Sequence, residues 1–170
     1  LINAIGAVTV DSDAAVKAAR KAYNELSWAH RALVQKLTTL EEAESDLTEA
    51  KIDTIGEVTL EDAALIGQIR AEYEELNTQQ QEYVKNYDTL LAAENALADL
   101  QAAADKEAAD KTAAEAVIKQ IEEIGTVTLE SEEAIKAARA AYDALTDDQK
   151  ALVDAAKLTA AEAKLAELKA

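Results

Sequence analysis

One histidine, His30, and thirty-four carboxylates are the groups in this chain best suited to acid–base or metal chemistry. Their pattern argues against both. A catalytic centre needs an acid, a base or a nucleophile held in a set place. The chain has no Cys, and its Ser and Thr fall mainly where helices are capped. With so many acids, Glu-x-x-Glu spacings arise from composition alone. A metal centre would ask for His or Cys beside carboxylates, or for an acidic loop turning on a Gly. The loops here are short and lack that pattern. Asp147-Asp148 reads as a helix start, where acids are expected. No Gly-rich phosphate loop is present. The chain reads as a non-enzyme with no cofactor and no metal.

The elements that carry these residues follow from composition. There is no Pro, Cys, Met or Phe, and Gly appears four times. Much Ala, Glu, Leu and Lys with few strand formers predicts an all-α fold. The net charge is −17, which repels nucleic-acid phosphate and argues against DNA or RNA as partner. No basic amphipathic segment suits a membrane surface. No apolar run approaches the roughly 20 residues needed to span a bilayer. Zero Cys excludes disulfides and is neutral about compartment.

Gly punctuates three copies of one pattern. Ile5-Gly6-Ala7-Val8-Thr9-Val10 recurs as Ile55-Gly56-Glu57-Val58-Thr59-Leu60 and as Ile124-Gly125-Thr126-Val127-Thr128-Leu129. Each copy continues into a helical pattern with an Arg and a Tyr three residues apart: Arg20 and Tyr23, Arg70 and Tyr73, Arg139 and Tyr142. Each then reaches a Leu, a cap and a second helix, at Leu26-Ser27, Leu76-Asn77 and Leu145-Thr146.

The third copy shows the local physics. A helix ends at Ile124, and Gly125 stands where a C-cap favours positive φ. Thr128 or Ser131 caps the next helix, whose first turn holds Glu130, Glu132 and Glu133. Ile135, Ala138, Tyr142 and Leu145 form one apolar stripe. Thr146 with Gln149 makes a capping box. Leu152 and Val153 anchor the short helix that follows. Thr159 with Glu162 reads as another capping box, opening the last helix. Such short amphipathic helices cannot bury their stripes alone, so they must pack together as bundles. The expected architecture is an elongated tandem array of spectrin-like three-helix bundle repeats with shared or continuous connecting helices.

Gly6 to Gly56 is 50 residues and Gly56 to Gly125 is 69, so the second interval carries 19 extra. They fall around Gln101–Ala116, a stretch with no Leu, Ile, Val or aromatic residue. It is good helix material with no face to bury. A continuous helix from about Thr89 to Ile124, roughly 50 Å long at 1.5 Å per residue, is expected there. The resulting divisions are residues 1–50, a first repeat whose N-terminal helix is truncated; 51–100, a second; 101–116, a solvated helical extension; and 117–170, a third.

Departures from the repeat hold the clues to function. Tyr23, Tyr73 and Tyr142 sit on the apolar stripe and read as core. Tyr83 aligns with Leu33 and Leu152 and reads as core too. Trp28 aligns with Thr78 and Asp147, at the first turn of a helix that should face water. Trp and Arg are enriched at binding hot spots, and Arg31 lies three residues on. The competing reading folds Trp28 over a bundle end. His30 replaces Gln80 and Gln149 and reads as a helix cap. Gly67 aligns with Lys17 and Lys136 in an exposed helical face, where it costs about 1 kcal/mol relative to Ala; close approach of a partner or simple drift would account for it. Tyr87 aligns with Leu37 and reads as half exposed. Residues 51–116 hold 15 acids against 5 bases, usually a solvated surface, though also one that would steer toward a basic patch. The candidate partner-binding residues are therefore Trp28, His30, Arg31, Gly67 and Tyr87.

At IGTVTLESEEAIKAARAAYDALTDDQKALV, Ile124 to Val153, the chain resembles the three-helix repeats strung along cell-surface proteins of Gram-positive gut bacteria. The first two copies match in Gly, Val-Thr, Arg and Tyr and drift at the second loop. The resemblance implies an extracellular, cell-surface location, with any signal peptide and anchor lying outside this sequence. Some such surface proteins are similar in role to antibody-binding B-cell superantigens. That implies a host protein as partner, above all the framework of immunoglobulin heavy-chain variable domains, bound by a monomer. The alternative it implies is a passive spacer that holds another domain away from the cell wall.

Overall fold

The Val-Thr pair after each Gly folds the same way three times. Thr9, Thr59 and Thr128 are extended, with φ of −140°, −125° and −127°. Each caps a single 3-10 turn: Val10–Ser12, Leu60–Asp62 and Leu129–Ser131. The Thr backbone N–H donates to the residue three on, Ser12 Oγ at 3.1 Å, Asp62 Oδ2 at 2.8 Å and Ser131 Oγ at 3.1 Å. This reciprocal capping satisfies donors that a helix start leaves orphaned. It launches the first α-helix of each copy directly from the turn.

The computed structural model describes residues 1–170 and is helical throughout, with no strand. The first copy supplies α1 (Asp13–Asn24), α2 (Trp28–Arg31) and α3 (Leu37–Ile52). The second supplies α4 (Ala63–Glu75) and α5 (Thr78–Tyr83) and enters α6 (Tyr87–Glu123). The third supplies α7 (Glu132–Ala144), α8 (Asp147–Lys150) and α9 (Ala156–Lys169). Gly6 and Gly125 take φ of +65° and +55° between their helices and the Val-Thr turns, a conformation that costs Cβ-bearing residues roughly 1–2 kcal/mol.

The chain forms two compact units, residues 1–101 and 102–170. The first holds two apolar clusters. Val16 and Ala19 of α1 pack with Leu40, Ala43 and Leu47 of α3. Ile52, at the end of the same helix, packs instead with Ile66, Ile69, Val84, Leu90 and Ala93. One helix thus serves two cores in succession. In the second unit Ala114, Val117 and Ile121 from the end of α6 pack with Ile135, Ala138, Val153, Leu158, Ala161 and Leu165.

Three expectations need correction. Tyr83 is 49 % exposed and its counterparts Leu33 and Leu152 are 74 % and 47 % exposed, so this position faces water in all three copies. The residue after each is the inward one: Val84 and Val153 are buried and Val34 is half-buried. The turn after each short helix rotates the stripe by one residue. Thr159 is not a cap, because α9 begins at Ala156, whose N–H is met by Asp154 Oδ1 at 2.9 Å. The stretch 101–116 is not solvated to its end. Ala114 is buried in the third core, where a small side chain lets α6 approach its neighbours closely. Lys106 and Asp110 are also engaged, Lys106 Nζ donating to Asp148 Oδ2 at 2.7 Å and Gln149 Nε2 to Asp110 Oδ1 at 2.8 Å. No helix is long and apolar enough to cross a membrane.

Candidate functional site

The repeated Arg and Tyr form the same device in every copy. Arg20 Nε and Nη2 each donate to Glu44 at 2.6 Å. Arg139 does the same to Glu162 at 2.7 and 2.8 Å. Arg70 forks onto Glu94 in the same way, and also donates to the Tyr87 hydroxyl at 3.1 Å. Each guanidinium lies over its Tyr ring, 5.5, 5.8 and 5.4 Å from the centroids of Tyr23, Tyr73 and Tyr142. Bidentate charge-assisted pairs of this kind fix orientation as well as adding energy, and the stacked rings add a cation–π contribution. The forks tie α1 to α3, α4 to α6 and α7 to α9. They offer no free charge to a ligand.

Copies one and two meet in a groove of about 800 Å³ whose walls include Lys17, Arg20, Glu44, Lys51, Glu72 and Gln80. Lys51 of α3 is buried and bridges Asp13 of α1 to Glu72 of α4, the latter at 2.6 Å. Lys17 pairs with the same two acids at 3.0 and 2.9 Å. Burial raises the Asp13 and Glu72 carboxyls, but hydrogen bonds from Lys51 and Lys17 outweigh it and hold both below the usual carboxylate range. The Glu72 hydrogen bond is the largest cause that raises Lys17. Gln80, only 5 % exposed, caps α5 and reaches back to the Glu41 carbonyl at 3.2 Å and to Glu44 at 2.7 Å. Two lysines meet two acids and one arginine meets one acid. These paired charges make the groove a junction between α1, α3 and α4; Glu25, Glu41 and Glu75 also line it. No group of three or more His, Asp or Glu is placed to hold a metal ion.

The residues singled out by sequence fall into two places. Trp28, His30 and Arg31 share α2. The Trp28 indole is 87 % exposed, which removes the reading that folds it over a bundle end. Ser27 and not His30 is the cap: Ser27 Oγ accepts from the His30 N–H at 3.4 Å, and His30 Nδ1 lies 2.9 Å from that oxygen, whereas Gln80 and Gln149 accept from the backbone N–H of their cap residues. Arg31 is committed to the end of α1, donating to the Leu26 carbonyl at 3.0 Å and to the Asn24 carbonyl, and stacking 5.6 Å from the Tyr23 centroid. It braces the turn that presents Trp28. Leu33, in the same turn, is also exposed.

Gly67 and Tyr87 belong to the second copy. Tyr87 stacks on Tyr73 with centroids 4.6 Å apart, and its hydroxyl accepts from Arg70. It is a core-edge residue and a poor candidate for partner contact. Gly67 is exposed in mid-α4, and a Cβ built there meets nothing within 4 Å. Gly67→Ala is expected to raise stability by about 1 kcal/mol, read as a higher urea midpoint of the far-UV CD transition. A lower midpoint would show that the folded chain itself disfavours a side chain at this position.

Sequence reasoning missed Glu44, Glu94 and Glu162 as the fork partners. Their signal was present, since each follows its Arg by 24, 24 or 23 residues. No protein-family model, curated protein or solved structure matches the chain.

Proposed function

We propose that this chain is a non-enzymatic protein-binding module, built of tandem spectrin-like three-helix repeats, that docks through the α2 turn carrying Trp28. The observation that carries this reading is the indole itself. It is the only Trp in the chain, it is almost wholly exposed, and the other two copies put Thr78 and Asp147 in its place. Trp is among the residue types enriched at binding hot spots, and exposed Leu33 in the same turn adds to the apolar surface there. Arg31 and the Ser27–His30 cap make the turn rigid, so docking costs little conformational entropy.

The partner we propose is a host immunoglobulin heavy-chain variable domain, engaged on its framework by a monomer at the surface of a Gram-positive bacterium. Support for that partner is the resemblance carried by Ile124–Val153. The acidic surface favours a basic docking patch, with association weakened by salt.

The test is interferometry of the 170-residue chain against Fab fragments from different heavy-chain variable families. Saturable binding confined to some families is expected. Trp28→Ala is expected to weaken it by at least 2 kcal/mol, about thirtyfold, with helicity unchanged. No binding to any Fab at micromolar concentration would remove immunoglobulin as the partner. Binding indifferent to Trp28→Ala would move the interface off α2. The second reading, a passive spacer, is favoured by the Arg forks and the ionic junction, which stiffen the chain and pair their own charges. It predicts that Trp28→Ala is silent against every partner.

A further inference from the structure

The junction between copies one and two has a half that recurs elsewhere. On the first copy's side it consists of Asp13, Lys17 and Lys51, with the Arg20–Glu44 fork beside them and Val16 and Leu47 as the apolar floor. Shifting along the repeat lands these residues on Glu132, Lys136, Lys169, the Arg139–Glu162 fork, Ile135 and Leu165. All of them, with Ala166 and Asp143 among their neighbours, line one open groove of about 460 Å³ on α7 and α9. The internal half of the ionic network is already formed there. Lys136 and Lys169 both contact Glu132, at 2.8 and 2.6 Å. The missing member is the carboxylate in the place of Glu72. Lys169 is correspondingly 43 % exposed in its side chain, against 11 % for Lys51 under its cover.

The second copy supplies the contrast. It is followed in the sequence by the 19 extra residues, and at the same three positions it carries Ala63, Gly67 and Gln101. The Arg70–Glu94 fork, which serves the copy's own core, is kept. The charged triad therefore accompanies a docked neighbour in copy one and is gone where the repeat spacing is interrupted. This also accounts for Gly67 without a partner pressed against it: the lysine of that position has no junction to make. Copy three restores the triad in full.

We propose that the α7–α9 face bearing Glu132, Lys136 and Lys169 is a docking surface for a further helical unit of this repeat, whose counterpart of α4 supplies a carboxylate where Glu72 stands and whose counterpart of α5 supplies an amide where Gln80 stands. Charge complementarity selects that occupant: Lys136 has a second acid in Glu133 at 3.2 Å, but Lys169 meets only the Glu132 it shares with Lys136, whereas Lys51 in copy one meets Glu72 as well as Asp13. The shape agrees, because Ile135 and Leu165 repeat the floor on which α4 and α5 rest. Several lining residues differ: Ser45, whose hydroxyl donates to the Gln80 carbonyl at 3.0 Å, is Ala163 in copy three, and Lys21, Glu41 and Thr48 of the first groove are Ala140, Thr159 and Ala166. The face is therefore more apolar than its precedent and lacks the Ser45 contact, while the charged triad and the fork are kept.

The experiment extends the full chain after Ala170 with a second copy of its own residues 53–101, so that Lys169 and Ala170 take the places of Lys51 and Ile52. Hydrogen exchange of the α9 amides between Glu162 and Lys169 is then compared with the unextended chain. Docking is expected to slow their exchange at least about tenfold. Lys169→Met and Glu72→Gln in the graft should each remove that protection, and the double variant should lose no more than either single one. Equal protection with the Glu72→Gln graft would mean that helix continuation alone stiffens α9 and would overturn the proposal. So would unchanged exchange in a graft whose own amides are protected. Sedimentation of the unextended chain supplies the other arm. A monomer is expected, and a dimer dissolved by Lys169→Met would assign the face to a second copy of this chain instead.

Discussion

Leu40→Ala is expected to cost about 3 kcal/mol, within the 2–5 kcal/mol range for emptying a buried leucine site. Leu40 is fully buried in α3 against Val16, Ala19, Ala43 and Leu47. Two of those four neighbours are alanines, which cannot swing into the space. The helices would have to slide, and α3 cannot slide freely because Ile52 at its other end is locked in the next core. The loss should therefore stay as a cavity. Hydrogen exchange is the right readout, since a chain of two compact units need not unfold in one step. Amides of α1 and α3 should exchange over a hundredfold faster in Leu40→Ala, while α7 and α9 are unchanged. Leu33→Ala, at an exposed position, is the control and should stay within about 0.5 kcal/mol. A cost below 1 kcal/mol for Leu40→Ala would mean that the first copy does not hold a cooperative core.

Lys51→Met should cost about 2 kcal/mol. Removing one partner of a fully buried ion pair costs about 3–5 kcal/mol, and the lower figure allows for the partial exposure of Asp13 and Glu72. What remains is two acids facing each other across the junction with only Lys17 between them. The penalty is chiefly the stranded carboxylate, so adding Glu72→Gln should return at least half of it. Strictly additive losses would show that Lys51 and Glu72 act independently and that the pair is not coupled. The same groups set a pH dependence. Asp13 and Glu72 are held below the usual carboxylate range in the folded chain. Their contribution is complete above about pH 4, the unfolded carboxylate range, and is lost as pH falls through the lowered folded values. Acid should loosen the α1–α3–α4 junction in urea titrations, and less so in Lys51→Met. Lys17 is shifted the other way, so its contribution holds below its unfolded value and fades only in strong alkali.

Much of the helical order was legible because its determinants are local. The Thr9, Thr59 and Thr128 turns, the Thr146–Gln149 box and the left-handed Gly125 depend on residues within four positions of one another. So does the unbroken α6, since Ala, Glu, Lys and Asp favour helix whether or not a face is buried. The candidate turn was half legible. Trp28 stood out by alignment with Thr78 and Asp147, and its exposure follows from that alignment. Tyr87 is half exposed as read, but the contacts of Arg31 and Tyr87 were not legible, because they are set by partners elsewhere: the Asn24 and Leu26 carbonyls for one, Tyr73 and Arg70 for the other.

Glu162 marks the boundary most clearly. By spacing from Thr159 it looks like a capping residue, and only the approach of α7 to α9 makes it the partner of Arg139. Tyr83 misread for a related reason: a one-residue rotation after α5 turns Val84 inward, and helical periodicity does not carry across a turn. The sequence by itself determined the repeat, its caps and the indole that breaks it, because these rest on propensities and short-range hydrogen bonds. The tertiary structure alone decided which charges meet, placing Lys51 beside Glu72 across 21 residues and Arg20 beside Glu44 across 24, because long-range pairing depends on how helices pack and not on what their residues prefer.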